Sequence, residues 1–583
     1  MPIKLLPEEV SSQIAAGEVI ERPSSVVKEL IENAIDAQSN QIDISIEAAG
    51  KKRIEVADNG YGISPQEIEL ALARYATSKI DTSDDLYNIR TLGFRGEALA
   101  SITSVSKLTL TSQVQYATHG IQLHSEAGHI KRIQKVGASR GTIVLVEDLF
   151  YNIPARLKFL KSDSTEKQQI INLVTRYGLA YPDIRFHLIQ EGKPIFITSG
   201  SGDRREIIAG LFSVDIAQQL LEVTHNEENI KIVGFISPLH ITRSNRKEIT
   251  FFINGRWVHD VPLTTAVVQA YKNMIMVGRY PLSILFIDMD PSKIDVNVHP
   301  TKAEVRFTNP DFMFSTVQRV VRRGLLSYGN VPEVNPYAWS MQTDSRPGVV
   351  IKPADNQTHT VGDSNLQQSE DLSGSQDSVI IQPVFPAVNN IPILRPIGQI
   401  GSTYIVAEGP DGLYLVDQHA AHERVLFEKM LMTKGKDHVV QPLLGGQVVH
   451  LSPQSAQLIN DKLVFLESLG FQIEPFGLNT IMVRTVPAVL GDVDPALAIN
   501  GAIEDLEMGN NPLDSKIEEM MIAGICKRIA IKGGQVLSDV EQKSLIRDLE
   551  ACQSPRTCPH GRPTMIHLSV NLLERQFGRR GSR

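Results

Sequence analysis

The feature that most limits what this chain can fold into is a stretch with little capacity to form a core. Residues 331–390 are rich in Ser, Gln, Asn, Asp and Pro and show little hydrophobic periodicity. A run such as 367–377 (QQSEDLSGSQD) cannot bury enough apolar surface to offset the entropy of ordering it, so a flexible linker is expected there. The chain must therefore build separate folded bodies on either side. Residues 1–330 mix helical and strand patterns with short turns, and order is expected to resume near Ile391 and run as one α+β domain to residue 583. A length of 583 residues exceeds what one core usually holds and predicts three or four domains.

Composition excludes several classes. Hydrophobic residues at 42% and charged residues at 21% are ordinary for a globular protein. No apolar run is long enough to span a bilayer, and residues 1–10 lack the basic-then-apolar pattern of a secretion signal. The three cysteines, Cys526, Cys552 and Cys558, are a poor disulfide framework and suit a reducing cytosol. A cytoplasmic protein, not associated with a membrane, is expected. The net charge of −8 argues against binding DNA by bulk charge. The 331–390 stretch carries seven acidic and two basic residues, however, so the rest of the chain is near neutral and can still present local basic grooves.

The first candidate site lies near the N-terminus. Pro23 suits the first turn of a helix, and Val26, Val27, Leu30, Ile31, Ala34 and Ile35 then cover one broad arc at helical spacing. Glu29, Glu32, Asn33 and Asp36 fall on the other face, with Glu29 and Asn33 four apart and so adjacent. Taken alone, such a face is more often a solvated surface. Further on, the strand Arg53-Ile54-Glu55-Val56-Ala57 leads into Asp58-Asn59-Gly60-Tyr61-Gly62, which offers a carboxylate on a turn that a ligand can approach closely. Lys79 adds a cation. The run Leu92-Gly93-Phe94-Arg95-Gly96-Glu97-Ala98-Leu99 sets two glycines before a helix, as a phosphate-binding lid requires, and Gly141-Thr142 adds another close-approach glycine with a hydroxyl beside it.

The second candidate site lies in the C-terminal part. The strand Leu413-Tyr414-Leu415-Val416 ends at Asp417, and a helix beginning near Gln418 puts His419 and Glu423 on one face. Imidazole and carboxylate at that spacing form a metal-ligand pattern, although on its own it is more often a surface pair. Two distant segments offer further ligands: Cys526, and Cys558 with His560 in Cys-Pro-His-Gly-Arg-Pro.

In order and spacing, the N-terminal strings resemble the GHKL ATPases, which include gyrase, the ninety-kilodalton heat-shock chaperones, histidine kinases and MutL. The strings Ile14-Ala15-Ala16-Gly17-Glu18-Val19-Ile20-Glu21-Arg22-Pro23 and Leu92 to Leu99 narrow the resemblance to MutL. Residues 417–428 match the D-Q-H-A-x-x-E-x-x-x-x-E signature of its endonuclease-bearing members in full, as does Cys-Pro-His-Gly-Arg-Pro; the Cys526 segment matches in part, with Ile525 in place of Ala. The implied fold is α+β throughout: an N-terminal GHKL (Bergerat) ATPase α/β sandwich over 1–205, a ribosomal-protein-like βαβ transducer domain over 206–330, a disordered linker over 331–390, and an α+β dimerisation and endonuclease domain over 391–583.

The resemblance also implies roles. Glu29 would be the general base of ATP hydrolysis, Asn33 a ligand of Mg²⁺, and Asp58 the partner of the adenine amino group, with Gly60 and Gly62 letting the base sit down. Lys79, Gly93, Phe94, Arg95, Gly96, Glu97 and Thr142 would surround the phosphates, and Lys302 would reach the terminal phosphate from the second subdomain. Asp417, His419, Glu423, Cys526, Cys558 and His560 would hold one or two ions, Zn²⁺ or Mn²⁺, and nick DNA. The implied partners are a second copy of the chain, DNA, a MutS-like mismatch sensor, and a downstream helicase and exonuclease. A sliding clamp would dock through Gln441, Pro442, Leu443 and Leu444, although Gly446 stands where that motif often carries Pro. Arg243, Arg246, Lys247 and Arg256 are candidate DNA-phosphate contacts. Two other readings compete: an ATP-gated matchmaker that recruits but does not cut, which would lack the two metal strings, and a topoisomerase subunit, which would need a tyrosine cleavage domain that no string here matches.

Overall fold

Helix α1 (Pro23–Asp36) forms because its apolar side chains repeat at helical spacing; Val26, Val27, Leu30, Ile31 and Ala34 are buried, and Pro23 starts the first turn. In this computed structural model the described residues are 19–80, 91–93, 96–227, 230–276, 278–295, 305–328, 391–433, 439–491, 493–508 and 514–577. Phe94, Arg95, Lys302 and the 331–390 stretch lie outside them.

Helix α1 packs on an eight-stranded sheet built from β1 (Gln41–Glu47), β2 (Arg53–Asp58), β3 (Lys107–Gln113), β4 (Gly120–Glu126), β5 (His129–Val136), β6 (Gly141–Glu147), β7 (Arg185–Gln190) and β8 (Lys193–Ile197). The order is β5-β4-β3-β6-β2-β1-β7-β8. Only β1 and β7 pair in parallel; the other neighbours are antiparallel. Alternation sets the inner face: Ile42, Ile44 and Ile46 of β1 are buried beside Ile54 and Val56 of β2. Helix α2 (Ala98–Ser104) and the long helix α3 (Asp163–Ala180) join the same core through Ile102, Ile170, Ile171 and Val174.

A second sheet follows, made of β9 (Leu221–Glu227), β10 (Ile230–Ile236), β11 (Ile249–Ile253), β12 (Arg256–Val258) and β13 (Ser283–Met289), in the order β12-β11-β13-β10-β9. Strands β11 and β13 are parallel and are linked across helix α4 (Val261–Ala270). Both faces of this sheet are covered. Ile284 and Phe286 of β13 point into the first core, while Leu285 and Ile287 point into a second core shared with α4 and α5 (Pro310–Tyr328). Helix Arg204–Phe212 runs across residue 205, and its Ile207, Ile208 and Leu211 lie in the first core.

The C-terminal body has two sheets. Strands β14 (Arg395–Ile400), β15 (Tyr404–Gly409) and β16 (Gly412–Asp417) form a meander. Strands β17 (Val440–His450), β18 (Gln472–Gly477) and β19 (Thr480–Pro487) form a separate three-stranded sheet with β19 in the centre. Strand β20 (Met565–Ser569) returns to pair with β16. Helix α6 (Gln418–Thr433) leaves the end of β16 and lies between two cores. Ala421 and Val425 enter the core of the first sheet, while Leu426 and Met430 enter the other, with helices α7 (Pro495–Met508) and α8 (Asp514–Ile529). Helix α9 (Asp539–Glu550) closes the first of these cores through Leu545, Ile546 and Leu549.

Candidate nucleotide and metal sites

The buried face of α1 is amphipathic only in outline, because its polar residues converge on one place. Glu29 is largely shielded and lies 3.5 Å from the ammonium of Lys28. Glu32 is buried and accepts a hydrogen bond from the Tyr177 hydroxyl of α3 at 2.8 Å. The Asn33 side-chain Oδ1 accepts from Lys79 Nζ at 2.9 Å. Asp36 is the hub: its carboxylate takes Lys79 Nζ at 2.5 Å and the backbone N–H groups of Leu92 and Gly93 at 2.9 and 3.0 Å. A cation and two converging amides form an anion cradle, and here it is filled from within the chain. The sequence places Asp36 on the polar face of α1 but gives it no part in the site; its partners on the Leu92 side are more than fifty residues away, and no local spacing points to them.

Asp58 stands at the end of β2, where it accepts from the Gly60 N–H at 2.8 Å and from the Ser39 hydroxyl at 3.2 Å. Burial raises its carboxyl above the ordinary value, partly offset by those hydrogen bonds. Thr142 faces it across the ladder from β6, with its hydroxyl bonded to Ser112 at 2.9 Å. The glycines here are sterically required. A Cβ on Gly60 would lie 2.6 Å from the Ala37 carbonyl oxygen, and one on Gly141, at φ +114°, would lie 2.0 Å from that of Asp58. Gly62 and Gly96 also have positive φ, and Gly96 accepts from the Tyr75 N–H at 3.0 Å, joining the two ends of the lid region. Glu97 precedes the first turn of α2.

Arg256 does not stand free for DNA. Its guanidinium donates to the carbonyls of Thr91 and Leu92 at 2.7 and 3.3 Å, so the second sheet grips the base of the lid. Arg243 is likewise paired, with Glu248 at 2.5 Å, and Arg246 lies over the Tyr280 ring.

In the C-terminal body, Asp417 caps α6: its Oδ1 accepts from the N–H groups of His419 and Ala420 at 2.9 and 3.0 Å. Gln418 is fully buried and donates to the Ser402 carbonyl at 2.8 Å, which pins the start of the helix. His419 is held through Nδ1 by the Ile531 carbonyl at 2.9 Å, leaving Nε2 3.1 Å from Glu423 Oε1. The other Glu423 oxygen is 3.4 Å from His560 Nδ1. Ligand atoms of Glu423, Cys558 and His560 all lie within 4.8 Å of one another. Burial alone would raise Glu423, but His419 and His560 together pull it down to about 2. The hydrogen bond to Glu423 raises His419 in turn. Burial raises the Cys558 thiol.

One thiolate, one imidazole and one carboxylate, with a second imidazole beside them, fit a borderline-soft divalent cation. Cys526 falls outside this 4.8 Å set. It is fully buried, its thiol points to Met430 Sδ at 3.8 Å in the core, and burial raises it far above its ordinary value, with Glu423 near enough to raise it further. His422, on the same turn as His419, accepts from the Ile531 N–H at 3.0 Å. The two imidazoles thus hold the N–H and the carbonyl of one residue, Ile531, a pairing the sequence does not reveal.

At the clamp-like motif, the side chain of Leu444 projects fully into solvent from a break in the β17–β19 register between Pro442 and Gln447. Gly446 has φ +72°, a conformation closed to proline, which accounts for the glycine there.

Three family models match successive parts of the chain. The model for histidine kinase-, DNA gyrase B- and HSP90-like ATPases matches residues 21–140, the C-terminal domain of DNA mismatch repair proteins matches 208–326, and the MutL C-terminal dimerisation domain matches 397–537. Sheet, helix α1 and lid thus define a protein built around a GHKL-type ATPase domain with a C-terminal dimerisation domain. The DNA mismatch repair protein MutL of Halothermothrix orenii is 36% identical over 99% of this chain and 100% of its own length. That of Streptococcus pneumoniae strain G54 is 36% identical over 98% of this chain and 97% of its own. The chain belongs to the MutL family of DNA mismatch repair proteins. Among solved structures, the Aquifex aeolicus MutL ATPase domain complexed with ADP is 30% identical over 47% of this chain and 94% of that chain, with a TM-score of 0.37. Among the described residues, no helix is long and apolar enough to cross a membrane.

Proposed function

We propose that this protein is an ATP-driven switch of mismatch repair whose C-terminal body nicks DNA. ATP would enter between α1 and the end of β2, with Asp58 receiving the adenine amino group and Gly60 and Gly62 admitting the base. Lys79 and the amides of Leu92 and Gly93, which Asp36 occupies here, would receive phosphate oxygens once that carboxylate gives them up. Mg²⁺, with Asn33 as its protein ligand, would neutralise charge on those phosphates. Glu29 would orient the attacking water. Phosphoryl transfer depends chiefly on such positioning and charge neutralisation. Lys302, Phe94, Arg95, Gly96, Glu97 and Thr142 complete the proposed binding set.

The observation that carries the nuclease reading is the Glu423, Cys558 and His560 cluster, with ligand atoms within 4.8 Å. These three would hold an ion, with His419 and Asp417 beside them; Cys526 would contribute only if its side chain turned out of the core. A bound Zn²⁺ or Mn²⁺ would lower the pKa of a bound water and stabilise charge at the scissile phosphate. A matchmaker that recruits without cutting would have no use for this donor set.

Two copies would pair through the C-terminal bodies, consistent with apolar side chains left exposed on that sheet, Ile397 and Ile566 among them. MutS, DNA, a sliding clamp at Leu443 and Leu444, and a helicase and exonuclease would be the working partners, in the cytoplasm at the nucleoid. The domain limits 1–205, 206–330, 331–390 and 391–583 belong to the same reading. The test is nicking of supercoiled plasmid with Mn²⁺ by the native chain and by Asp417→Asn and Glu423→Gln. Nicking lost in both variants, with ATP hydrolysis retained, is expected; no nicking by the native chain would favour the matchmaker.

A further inference from the structure

The last carboxylate of the 417–428 segment, Glu428, is not part of the Glu423, Cys558 and His560 cluster. It lies five residues beyond Glu423 on α6 and so faces a different direction. Yet it is buried, which is costly for a carboxylate unless it is well paired. Its two oxygens are both used. Oε2 accepts the N–H of Gln553 at 2.6 Å, and Oε1 accepts the N–H of Ser554 at 3.0 Å. Arg424, one turn earlier, stands 3.6 Å from Glu428 Oε1, and its Nε donates to the Thr557 carbonyl at 2.5 Å. Three backbone groups within residues 553–557 are therefore tied to α6 immediately before Cys558.

The far side of the same loop is closed as well. Cys558 N–H donates to the Arg562 carbonyl at 2.8 Å, and Thr564 N–H donates to that of Arg556 at 3.0 Å. The Thr564 carbonyl receives the N–H of Asp417 at 2.9 Å. Cys558 and His560 thus sit on a loop whose register against Glu423 is set by Glu428 and Arg424 at one end and by Asp417 at the other.

We propose that Glu428, helped by Arg424, is a positioning residue that fixes the 553–564 loop so that Cys558 and His560 meet Glu423, and that it supports metal retention without being a ligand. This rests on the reading of that cluster as a metal site. Glutamine at 428 keeps the shape but loses the charge, and it offers one acceptor where two amides need one each, so one N–H would face an NH₂ group.

The experiment uses the full chain and three variants: Glu428→Gln, Arg424→Gln and Cys558→Ser. Zn²⁺ affinity is read by chelator competition, the thiolate-to-metal absorption band in the Co²⁺-loaded protein, and thermal melting in excess EDTA. For Glu428→Gln, Zn²⁺ affinity should fall about 10–100-fold, as for other partners that orient metal ligands, and the Co²⁺ band should shift. Its metal-free melting should fall only by what one unsatisfied buried amide costs. Arg424→Gln, which leaves both carboxylate–amide bonds in place, should lose less. Native affinity with an unchanged Co²⁺ band in Glu428→Gln would overturn the proposal. So would a loss as complete as that of Cys558→Ser, which would make Glu428 a ligand, or a metal-free melting lowered far more than in Arg424→Gln with no greater loss of Zn²⁺ affinity, which would make it a general packing residue. Native affinity in Cys558→Ser itself would remove the metal site, a failure distinct from these.

Discussion

Glu29 and His422 show how single side chains can be tested apart from the fold. Glu29 sits on the polar side of α1, with Lys28 at 3.5 Å and Tyr177 near enough to feel its charge, and is not among the buried residues of the helix, so truncating it leaves the core intact. Glu29→Ala is therefore expected to bind ATP with native affinity but to hydrolyse it about 10²–10⁴-fold more slowly, the usual contribution of a positioned base. Native turnover in single-turnover kinetics would remove Glu29 from that role. His422 reports on pH. Burial pushes its imidazole from 6.5 down to about 4, so the folded state holds it neutral. Its contribution to stability is present above pH 6.5 and is lost as pH falls toward 4, because the unfolded chain takes up the proton first. His419 is raised through Glu423 and works in the opposite sense. The measurement is therefore a difference: metal-free His422→Gln should lose less melting temperature than the native chain between pH 6.5 and 4. Parallel pH curves would contradict this. Glu29 and Asn33 can be read from four-residue spacing, whereas Asp36 and His422 cannot, because each acts through backbone groups remote in sequence.

At the scale of elements, the strands were legible where one face is buried. Alternation marks β1 and β2 because Ile42, Ile44, Ile46, Ile54 and Val56 all turn inward. Helix α6 is less legible by periodicity, since two cores claim its opposite sides and leave no clear polar stripe. Its candidate ligands, His419 and Glu423, are read from the Asp417 motif instead. Cys526 was grouped with them by sequence, but α8 turns it toward Met430, a rotation that residue type alone does not encode. The junction of β2 and β6 gives a test at this scale. Gly141 packs against the Asp58 carbonyl so closely that any Cβ forces the strands apart where Asp58 is aimed. Gly141→Ala should cost about 1–3 kcal/mol for the backbone conformation alone, and more for the clash. It should weaken ADP binding in calorimetry as well as lower the melting temperature. Native ADP affinity in that variant would show that the ends of β2 and β6 do not set the position of Asp58.

For the whole molecule, the decisive fact is that the two sites stand on separate cores. Residues around Glu29 and Asp58 belong to a cluster spanning β1 to β8, while Glu423 rises from a helix wedged between two C-terminal cores. None of these clusters shares a residue with another, so each site's ligand should stabilise its own body by mass action. A ligand at a hundred times its dissociation constant adds about 2.7 kcal/mol to the body that binds it. In calorimetric scans of the full chain, ATP analogue alone is expected to raise one transition and Zn²⁺ alone the other, with both together giving both shifts. If nucleotide also raised the metal-sensitive transition, the bodies would be coupled in the apo chain. In that case the switch would act by tightening a contact that already exists, not by bringing two independent bodies together. The scan therefore separates two physical models of how ATP could act on the proposed C-terminal site. The contacts that the coupled model would tighten are hydrogen bonds between the bodies, among them Gln168 Nε2 to the Gln454 carbonyl at 2.7 Å and Asn479 Nδ2 to the Ile195 carbonyl at 3.3 Å; each is worth only about 0.5–1.5 kcal/mol net, which favours the independent model.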